Sequence, residues 1–210
     1  MKDKNLLGLF AKFPEPGKVK TRLARDIGPD AAARACREIA EYVLQRTSPA
    51  DSGYRRIIFF APQAMRQRFS EWMPGEVLMA QRGGDVGERM DNALKDLFGR
   101  GAEKAVVVGS DIPGLHRGII GKAFQELDDC DVVIGPAMDG GYYLIGMKFP
   151  HPEIFRNITW GTEKVFEETV TSIEKTGLTH CLVTTLFDVD DLDDLVRAEE
   201  LLKDAEDECG

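Results

Sequence analysis

Short apolar stretches recur along the chain, and the segments between them are more polar. The stretches are nearly unbroken rather than alternating, which is typical of strands that are covered on both faces. They span residues 6–13, 56–61, 76–81, 105–111, 131–137, 142–147 and 180–190. Seven strands are therefore predicted.

Helical periodicity is found in the segments between the strands. Small and apolar side chains fall on one side of a helix in residues 29–47 and 88–98, which predicts two amphipathic helices. Further helices are expected near residues 62–71, 115–128, 162–175 and 191–205. The repeated order of strand and then helix predicts an α/β fold with a mainly parallel sheet.

One connection breaks this order. Asp139, Gly140 and Gly141 join the fifth and sixth predicted strands and are too few for a crossover helix. An Asp followed by Gly suits a tight hairpin, so these two strands are expected to run antiparallel. The sheet is therefore predicted to be mixed.

Composition limits the class of protein. The 210 residues suit one domain, predicted over residues 1–210, and a content of 43% hydrophobic and 30% charged residues is ordinary for a globular protein. No stretch approaches the ~20 apolar residues of a membrane helix, so no membrane span is expected. The opening residues superficially resemble a secretory signal, but Lys12 interrupts the apolar run, and the protein is predicted to be cytoplasmic.

Charge is unevenly distributed in this acidic chain, whose formal net charge is −9. Residues 188–208, the acidic C-terminal segment, contain eleven acids against Arg197 and Lys203 and so account for the whole net charge. Nucleic-acid binding is not expected, because it needs a broad basic surface. The four cysteines form no CxxC pair, so neither a zinc site nor a disulfide framework is expected.

Residues 12–25, the basic loop, follow the first predicted strand and hold five cations against one acid, Glu15. Those cations are Lys12, Lys18, Lys20, Arg22 and Arg25. A Gly-containing turn at this place in an α/β sheet can wrap a phosphate, which Lys and Arg bind through charge-assisted hydrogen bonds. The loop matches neither the P-loop pattern nor G-x-G-x-x-G. The alternative is a solvated loop whose cations pair with the acidic C-terminal segment.

Aspartates end two of the predicted strands. Asp111 ends the fourth strand, and Asp188 and Asp190 end the last, where their two-residue spacing directs both side chains the same way. A carboxylate in such a position needs a partner, and Mg²⁺ or Mn²⁺ bound together with a substrate phosphate would be one. The alternatives are helix caps, with Asp111 before a helix that begins near Pro113 and Asp190 or Asp191 before the last helix.

Three further features each have two interpretations. Asp139 is a hairpin residue or, because the two glycines after it let a ligand approach the backbone, an acid or base directed at a ligand. Trp160 stacks on a nucleotide base or an acceptor, or it packs against its neighbours. Gly84 and Asp85 precede a predicted helix, so this segment offers an anion site at the helix N-terminus or forms a plain turn.

Six motifs, in this order along almost the whole chain, resemble a known family. They are FAKFPEPGKVKTRLA, QRGGDVGERM, VVVGSDIPGL, DVVIGPAMDGGYYLIGM, ITWGT and DVDDLDDL. The chain resembles bacterial glycosyltransferase-like proteins of the nucleotide-diphospho-sugar transferase superfamily. The resemblance implies the GT-A fold, a three-layer α/β/α Rossmann-like arrangement that binds a nucleotide across the carboxyl edge of its sheet.

The resemblance also implies roles for particular residues. The basic loop, through Gly17, Lys18, Lys20 and Arg22, would hold a diphosphate. Asp111 would play the part of the metal-binding aspartate that follows the central strand. Asp190 matches the position of a second metal ligand in the nucleotidyltransferases of the superfamily.

Two departures from the family pattern keep the reaction open. The D-x-D of many glycosyltransferases is absent, because Gly109 stands two residues before Asp111. The basic loop looks more like that of the 2-phospholactate guanylyltransferases, which belong to the same superfamily.

These observations together predict glycosyl transfer from a nucleotide-diphosphate sugar to a small acceptor, assisted by Mg²⁺ or Mn²⁺ bound to Asp111 and Asp190. Asp139 would activate or orient the acceptor. The predicted nucleotide contacts are Lys12, Gly17, Lys18, Lys20, Arg22, Gly84, Asp85 and Ser110. One alternative is nucleotidyl transfer, in which a phosphorylated molecule attacks a nucleoside triphosphate and releases pyrophosphate. The other is a non-catalytic nucleotide-binding regulator.

Overall fold

A seven-stranded sheet forms the centre of the protein in a computed structural model that describes residues 4–49 and 53–207. The strands are β1 (Asn5–Lys12), β2 (Arg55–Ala61), β3 (Leu78–Ala80), β4 (Lys104–Gly109), β5 (Val132–Pro136), β6 (Tyr142–Met147) and β7 (His180–Leu182). Their order across the sheet is β3-β2-β1-β4-β6-β5-β7. All seven predicted strands are therefore present.

Helices fill the connections between the strands. They are α1 (Leu23–Ile27), α2 (Pro29–Arg46), α3 (Arg66–Trp72), α4 (Val86–Gly99), α5 (Arg117–Glu126), α6 (Val165–Lys175) and α7 (Leu192–Asp207), with 3-10 turns at Gln63–Met65 and Pro152–Phe155. The six predicted helices are confirmed. The 3-10 turn Gln63–Met65 falls within the helix predicted near residues 62–71, whereas helix α1 and the turn Pro152–Phe155 were not predicted, because segments of four or five residues are too short to show a helical period.

The sheet is mixed and mainly parallel, as predicted. Strand β1 pairs in parallel with β2 and β4, β3 pairs with β2, and β7 pairs with β5. Strand β6 lies antiparallel between β4 and β5, which confirms the hairpin. The carboxyl ends of β1, β4 and β5 and the amino end of β6 therefore meet at one edge of the sheet, the carboxyl edge.

The last predicted strand is shorter than residues 180–190. Strand β7 covers only His180–Leu182, and beyond it an isolated bridge joins Leu186 to Ala137, the residue after β5. The N–H groups of Val183 and Leu186 still donate to the carbonyl oxygens of Ile134 (2.9 Å) and Pro136 (3.1 Å), but these bonds do not continue the strand. Asp188 and Asp190 therefore lie on an irregular segment rather than at the end of a strand.

Apolar side chains form a core on each face of the sheet. On one face Leu7 and Leu9 pack in a cluster with residues of α2, α3, α5 and α7. On the other face Leu6 packs in a cluster with residues of α4 and α6, including Leu94 and Ile173. Neighbouring residues of β1 thus enter opposite cores, and the fold is the expected three-layer α/β/α arrangement.

Two further sequence predictions concern the chain as a whole. Within the described ranges, no helix is both long and apolar enough to cross a bilayer. Cys36, Cys130 and Cys181 are free thiols, and Cys209 lies outside the described residues.

Gly146 lies at the centre of the sheet, where no side chain fits. A Cβ added there would lie 2.6 Å from Cγ2 of Val106 and 3.0 Å from the carbonyl oxygen of Ala105. We expect Gly146→Ala to lower the free energy of unfolding by about 1–3 kcal/mol through overpacking. Gly121, inside α5, has open space at the Cβ position, so Gly121→Ala should instead stabilise by roughly 0.5–1 kcal/mol. Chemical denaturation of both variants measures the two effects, and equal effects would contradict the packing described.

Candidate functional site

Two adjoining clefts open at the carboxyl edge of the sheet. The acidic cleft has a volume of about 560 Å³, and its lining includes Asp139, Asp188 and Trp160. The basic cleft has a volume of about 450 Å³, and its lining includes Lys12 and Lys20. Both are lined by Phe10, Arg22, Gly109, Asp111 and Asp190, so these residues form the boundary between the two clefts.

Three segments that are distant in the sequence meet at this boundary. Strand β4 ends at Gly109, and the chain then turns through Ser110 to Asp111. The backbone N–H of Val189 donates to the carbonyl oxygen of Asp111 (3.2 Å), and the N–H of Leu23 donates to that of Asp190 (3.2 Å). Backbone hydrogen bonds thus fix the acidic C-terminal segment between β4 and the basic loop.

Gly109 explains the missing D-x-D. A Cβ at this position would lie 2.9 Å from Oδ1 of Asp111, closer than Cβ atoms normally approach another atom. A side chain at residue 109 would therefore displace the carboxylate of Asp111. The carboxylates that join Asp111 in this protein come instead from the segment after β7, at Asp188 and Asp190.

Lys20 holds two aspartates together. Its ammonium lies 2.6 Å from Oδ2 of Asp111 and 3.0 Å from Oδ1 of Asp190, and its side chain is only 10% exposed. Nη1 of Arg22 lies 3.6 Å from Oδ2 of Asp190. Lys20 has φ +43°, a left-handed conformation that residues other than glycine rarely adopt. Strain of this kind persists only where the surrounding contacts compensate for it.

The charges of these groups change one another's pKa values. Burial alone would lower the pKa of Lys20, but the attraction of its ammonium to the carboxylates of Asp111 and Asp190 is stronger than this effect and raises the pKa. Burial likewise opposes ionisation of Asp111, but the contact with Lys20 outweighs it and lowers the pKa of Asp111. Burial and three neighbouring carboxylates, those of Asp111, Asp190 and Asp139, raise the pKa of Asp188 to about 6. Ionisation of Asp188 is thus disfavoured in the folded protein.

The alternative in which these aspartates cap helices is wrong for both Asp111 and Asp190. Helix α5 begins four residues after Pro113, and its cap is His116, whose Nδ1 accepts from the N–H of Gly118 (3.1 Å). At α7, Oδ1 of Asp191 accepts from the N–H of Asp194 (3.1 Å). The carboxylates of Asp111 and Asp190 therefore cap no helix, and both contact the ammonium of Lys20.

Some cations of the basic loop line the basic cleft, whereas Lys18 lies outside it. Nζ of Lys12 donates to the carbonyl oxygen of Lys18 (2.6 Å), and Lys12 lines the basic cleft. Gly17 has φ +77° and forms the turn, and Nζ of Lys18 pairs with Glu15 (2.9 Å) and is largely exposed. Pairing with the acidic C-terminal segment, the alternative considered from the sequence, is present for Lys20 and for Arg22. Lys18 and Gly17 line neither cleft.

Gly84 and Asp85 form a capping box at the start of α4. The N–H of Gly84 donates to Oε2 of Glu88 (2.8 Å), and Oδ1 of Asp85 accepts from the N–H of Glu88 (2.8 Å). These groups are already hydrogen-bonded, and neither residue lines a cleft. Helix α4 contributes Val86 and Met90 to the acidic cleft instead.

Asp139 and Trp160 form part of the acidic cleft. Oδ1 of Asp139 accepts from the N–H of Gly141 (2.8 Å), so Asp139 is a turn residue whose carboxylate also faces the cleft. Trp160 packs against α4, because a Cβ at Gly87 would lie 2.3 Å from its ring, and it meets Tyr142 edge to face at 6.4 Å between ring centroids. The sequence left each residue with a structural and a ligand-facing interpretation, and the structure is compatible with both.

Sequence reasoning missed several residues of the clefts, including Glu163 in the acidic cleft and the three described next. Phe10 lines both clefts, and Cys36 and Gln81 line the basic cleft beside Ser110. Gln81 follows β3 directly, so its position after a predicted strand was a usable signal. Cys36 lies within α2, where nothing in the local sequence distinguishes it from other positions on the helix.

The residues at the boundary suit a hard divalent cation. Asp111 and Asp190 already surround a positive group, the ammonium of Lys20, with carboxylate oxygens, which are the donors that Mg²⁺ and Mn²⁺ prefer. Among residues 4–49 and 53–207, no group of three or more His, Cys, Asp or Glu side chains is placed to hold a metal ion. A cation at this position would therefore need further ligands from a substrate or from water.

Comparison with solved structures defines the class of protein. The chain is 36% identical to a protein from Desulfovibrio desulfuricans G20 that is provisionally assigned as a nucleotide-diphospho-sugar transferase, with a TM-score of 0.85 over 90% of this chain and 83% of that one. It also shares its fold with 4-diphosphocytidyl-2C-methyl-D-erythritol synthase from Anaerococcus prevotii DSM 20548, at 9% identity, 96% and 100% coverage and a TM-score of 0.62. CMP:2-keto-3-deoxy-manno-octonic acid synthetase complexed with CTP aligns at 11% identity, 96% and 99% coverage and a TM-score of 0.58. The fold is that of nucleotide-sugar transferases and nucleotidyltransferases.

The family follows from the sequence comparison. Residues 43–162 match the family described as "Uncharacterized protein conserved in bacteria (DUF2064)", and this chain belongs to that family. No curated protein matches the chain.

Removing the charge of Lys20 should destabilise the protein in a pH-dependent way. Lys20→Met removes the cation between Asp111 and Asp190 and leaves only Arg22 beside Asp190, so we expect a loss of about 2 kcal/mol at neutral pH, reduced from that of a fully buried pair by solvent. The pKa of Asp111 is lowered in the folded state, so the loss should shrink as the pH falls below about 4.

Urea denaturation at several pH values measures this dependence. Lys95 forms an exposed ion pair with Asp91 within α4, so Lys95→Met is the matched control and should cost no more than about 0.5 kcal/mol. Equal losses in the two variants would contradict a central role for Lys20.

Asp188 should oppose folding when it is ionised. Its pKa is higher in the folded protein than in the unfolded chain, so stability falls as the pH rises toward about 6. Asp188→Asn should therefore stabilise the protein by on the order of 1 kcal/mol at about pH 8, after allowance for solvent screening, and should give no gain near pH 4. Denaturation of metal-free protein measures the difference. Glu71→Gln, on the exposed surface of α3, should show no such pH dependence.

Proposed function

We propose that this protein is a metal-assisted transferase that moves a sugar from a nucleotide-diphosphate donor to a small acceptor. One observation carries the proposal: a basic cleft and an acidic cleft meet at the carboxyl edge of the sheet, and Asp111 and Asp190 form their boundary. A sugar nucleotide is a polyanion joined to an uncharged sugar, so it matches this change in charge. The 36%-identical relative provisionally assigned as such a transferase supports the same activity.

The basic cleft would bind the diphosphate of the donor. Lys12, Lys20 and Arg22 line it, and Ser110 adds a hydroxyl group. Charge-assisted hydrogen bonds from Lys and Arg to phosphate oxygens are about twice as strong as neutral ones. Arg22 lies at the boundary and is exposed, so its guanidinium can reach the phosphate next to the sugar.

Asp111 and Asp190 would hold Mg²⁺ or Mn²⁺. When bound, such an ion neutralises negative charge on the departing diphosphate. The two carboxylates would then need less compensation from Lys20, whose ammonium would be available to the phosphate. Lys20 can therefore stabilise the charge that develops as the diphosphate leaves.

Asp139 and Asp188 would act on the acceptor. A carboxylate in the acidic cleft takes the proton of the acceptor hydroxyl while that oxygen forms its bond to the anomeric carbon and the bond to the diphosphate breaks. Asp188 lines this cleft beside Asp139 and is placed to act as the general base. Asp139 faces the same cleft and would orient the hydroxyl.

Nucleotidyl transfer is the second candidate. The three cations of the basic cleft are enough to bind a triphosphate as well as a diphosphate. In that reaction a phosphorylated molecule would attack the α-phosphate of a nucleoside triphosphate and release pyrophosphate. The released product therefore separates the two activities.

Product release from two donor panels tests the proposal. Purified protein with Mn²⁺ or Mg²⁺ is incubated with acceptor mixtures and with either nucleotide sugars or nucleoside triphosphates, and nucleoside diphosphate and pyrophosphate are measured separately. We expect nucleoside diphosphate from a nucleotide sugar, and about a 100-fold lower kcat/KM in Asp111→Asn. Asp96→Asn, which removes an exposed pair with Arg82, should keep the activity.

The other outcomes identify the alternatives. Pyrophosphate release from a nucleoside triphosphate would establish nucleotidyl transfer instead. Nucleotide binding without turnover of either donor would indicate a regulator, and a thermal shift detects it, since a ligand at 100 times its Kd stabilises by about 2.7 kcal/mol.

A further inference from the structure

We infer that the acidic cleft selects an uncharged or cationic acceptor that carries hydroxyl groups, and that it excludes phosphorylated acceptors. The role of this ligand as an acceptor rests on the proposed function. The charge and shape of the cleft, which determine the selectivity, are properties of the described residues themselves.

The two clefts differ sharply in charge. Five acids line the acidic cleft, namely Asp111, Asp139, Glu163, Asp188 and Asp190. Three cations and two acids line the basic cleft, namely Lys12, Lys20, Arg22, Asp111 and Asp190. The two clefts share Asp111, Asp190 and Arg22. The difference in charge therefore comes from the residues that they do not share, which are Asp139, Glu163 and Asp188 in the acidic cleft and Lys12 and Lys20 in the basic cleft. A polyanion is therefore attracted to one cleft and repelled by the other.

A phosphate in the acidic cleft would find no cation that is not already paired. Arg22 is the one basic side chain among the described residues that line this cleft, and it lies 3.6 Å from Asp190 at the boundary. Lys20 contacts both Asp111 and Asp190. A phosphoryl group beside Asp139 and Asp188 would face like charges at short range, which a desolvated site penalises more than water does.

Part of the lining of the acidic cleft is aromatic and apolar. Trp160 and Tyr142 meet edge to face, and Val86 and Met90 of α4 add to this apolar surface. Val86 is 43% exposed, so apolar area is available to a ligand. A carbon skeleton can pack on this surface while its hydroxyl or ammonium groups donate to Asp139 and Asp188.

Trp160 also brings a hydrogen-bond donor. Its indole N–H has no acceptor within residues 4–49 and 53–207, and its side chain is only partly buried. By contrast, the indole N–H of Trp72 donates to Oε1 of Glu41 (2.6 Å). The indole of Trp160 can therefore donate to a ligand oxygen that the carboxylates cannot bind, because ionised carboxylates only accept. Polyols and sugars present both kinds of group.

This selectivity bears on the type of reaction. The nucleotidyl transfer considered above uses a phosphorylated attacking molecule, and the charge of the acidic cleft disfavours such a molecule. Glycosyl transfer to a hydroxyl group needs no charge on the acceptor. The charge of Asp139, Glu163 and Asp188 thus favours the first candidate over the second.

The two tryptophans of the chain make the inference directly testable by NMR. We would record indole N–H spectra of the full-length protein with Mg²⁺ and UDP while titrating glucose, glucosamine and glucose 6-phosphate, and then glycerol and glycerol 3-phosphate. Trp160→Phe assigns the two resonances, and Trp72 serves as the internal reference. We expect the Trp160 resonance to shift with the unphosphorylated probes, and each phosphorylated probe to bind at least tenfold more weakly. Equal or tighter binding of the phosphorylated probes, or no shift of Trp160 with any probe, would overturn the inference.

A charge-neutralising variant provides the second measurement. Asp139→Asn keeps the acceptor for the N–H of Gly141 and removes one negative charge, so it should reduce the discrimination against glucose 6-phosphate by about threefold or more. Glu71→Gln changes the net charge equally on the exposed surface of α3 and should leave the ratio unchanged. If both variants change the ratio alike, the selectivity arises from net charge and not from this cleft.

Failure of this inference is distinguishable from failure of the proposed function. Calorimetry of UDP with Mg²⁺ reports on the basic cleft separately. Selective shifts of Trp160 without UDP binding would leave the inference intact and contradict the proposed donor. UDP binding together with a preference for phosphorylated probes would contradict the inference and leave a nucleotide-dependent transferase in place.

Discussion

The ammonium of Lys20, placed between Asp111 and Asp190, is the interaction on which the site depends. It joins residues that are 91 and 170 positions from it in the sequence. Without a cation between them, two half-buried carboxylates would repel each other, and the acidic C-terminal segment would have little electrostatic reason to approach β4. One side chain thus connects the first loop, the central strand and the last irregular segment.

The remaining charges are arranged around this contact. The basic loop supplies cations to one side of it, while Asp139 and Asp188 lie on the other, so the site passes from basic to acidic across Asp111 and Asp190. Burial, together with the carboxylates of Asp111, Asp190 and Asp139, raises the pKa of Asp188, and Lys20 offsets only part of this effect. A divalent cation would neutralise the carboxylates of Asp111 and Asp190, and a diphosphate bound with it would pair with the cations of the basic cleft. This complementarity of charge is the physical basis of the proposed transferase activity.

Much of the fold was predictable, because the elements are encoded locally. Unbroken apolar stretches identified seven strands, and the short Asp139-Gly140-Gly141 connection identified the hairpin. Prediction was wrong where local pattern and pairing diverge: residues 180–190 look like one strand, but the regular pairing with β5 ends at Leu182 and only an isolated bridge follows. The site was less predictable. Lys18 and Lys20 are equally basic and two residues apart, yet only Lys20 reaches the aspartates.

Periodicity, turn residues and charge are local properties, so the succession of strands and helices, the basic loop after β1, and the aspartates after β4 and β7 could all be predicted from the amino-acid sequence. Which of these groups meet depends on how the chain folds. In the folded protein Lys20 contacts Asp111, whereas Lys18 is largely exposed. Gly84 and Asp85 are hydrogen-bonded to Glu88 at the start of α4, and Asp188 lies near three other carboxylates. The physical reason is that ion pairing and desolvation depend on distances across the sheet, which are fixed by strand order and backbone direction and not by neighbouring residues in the chain.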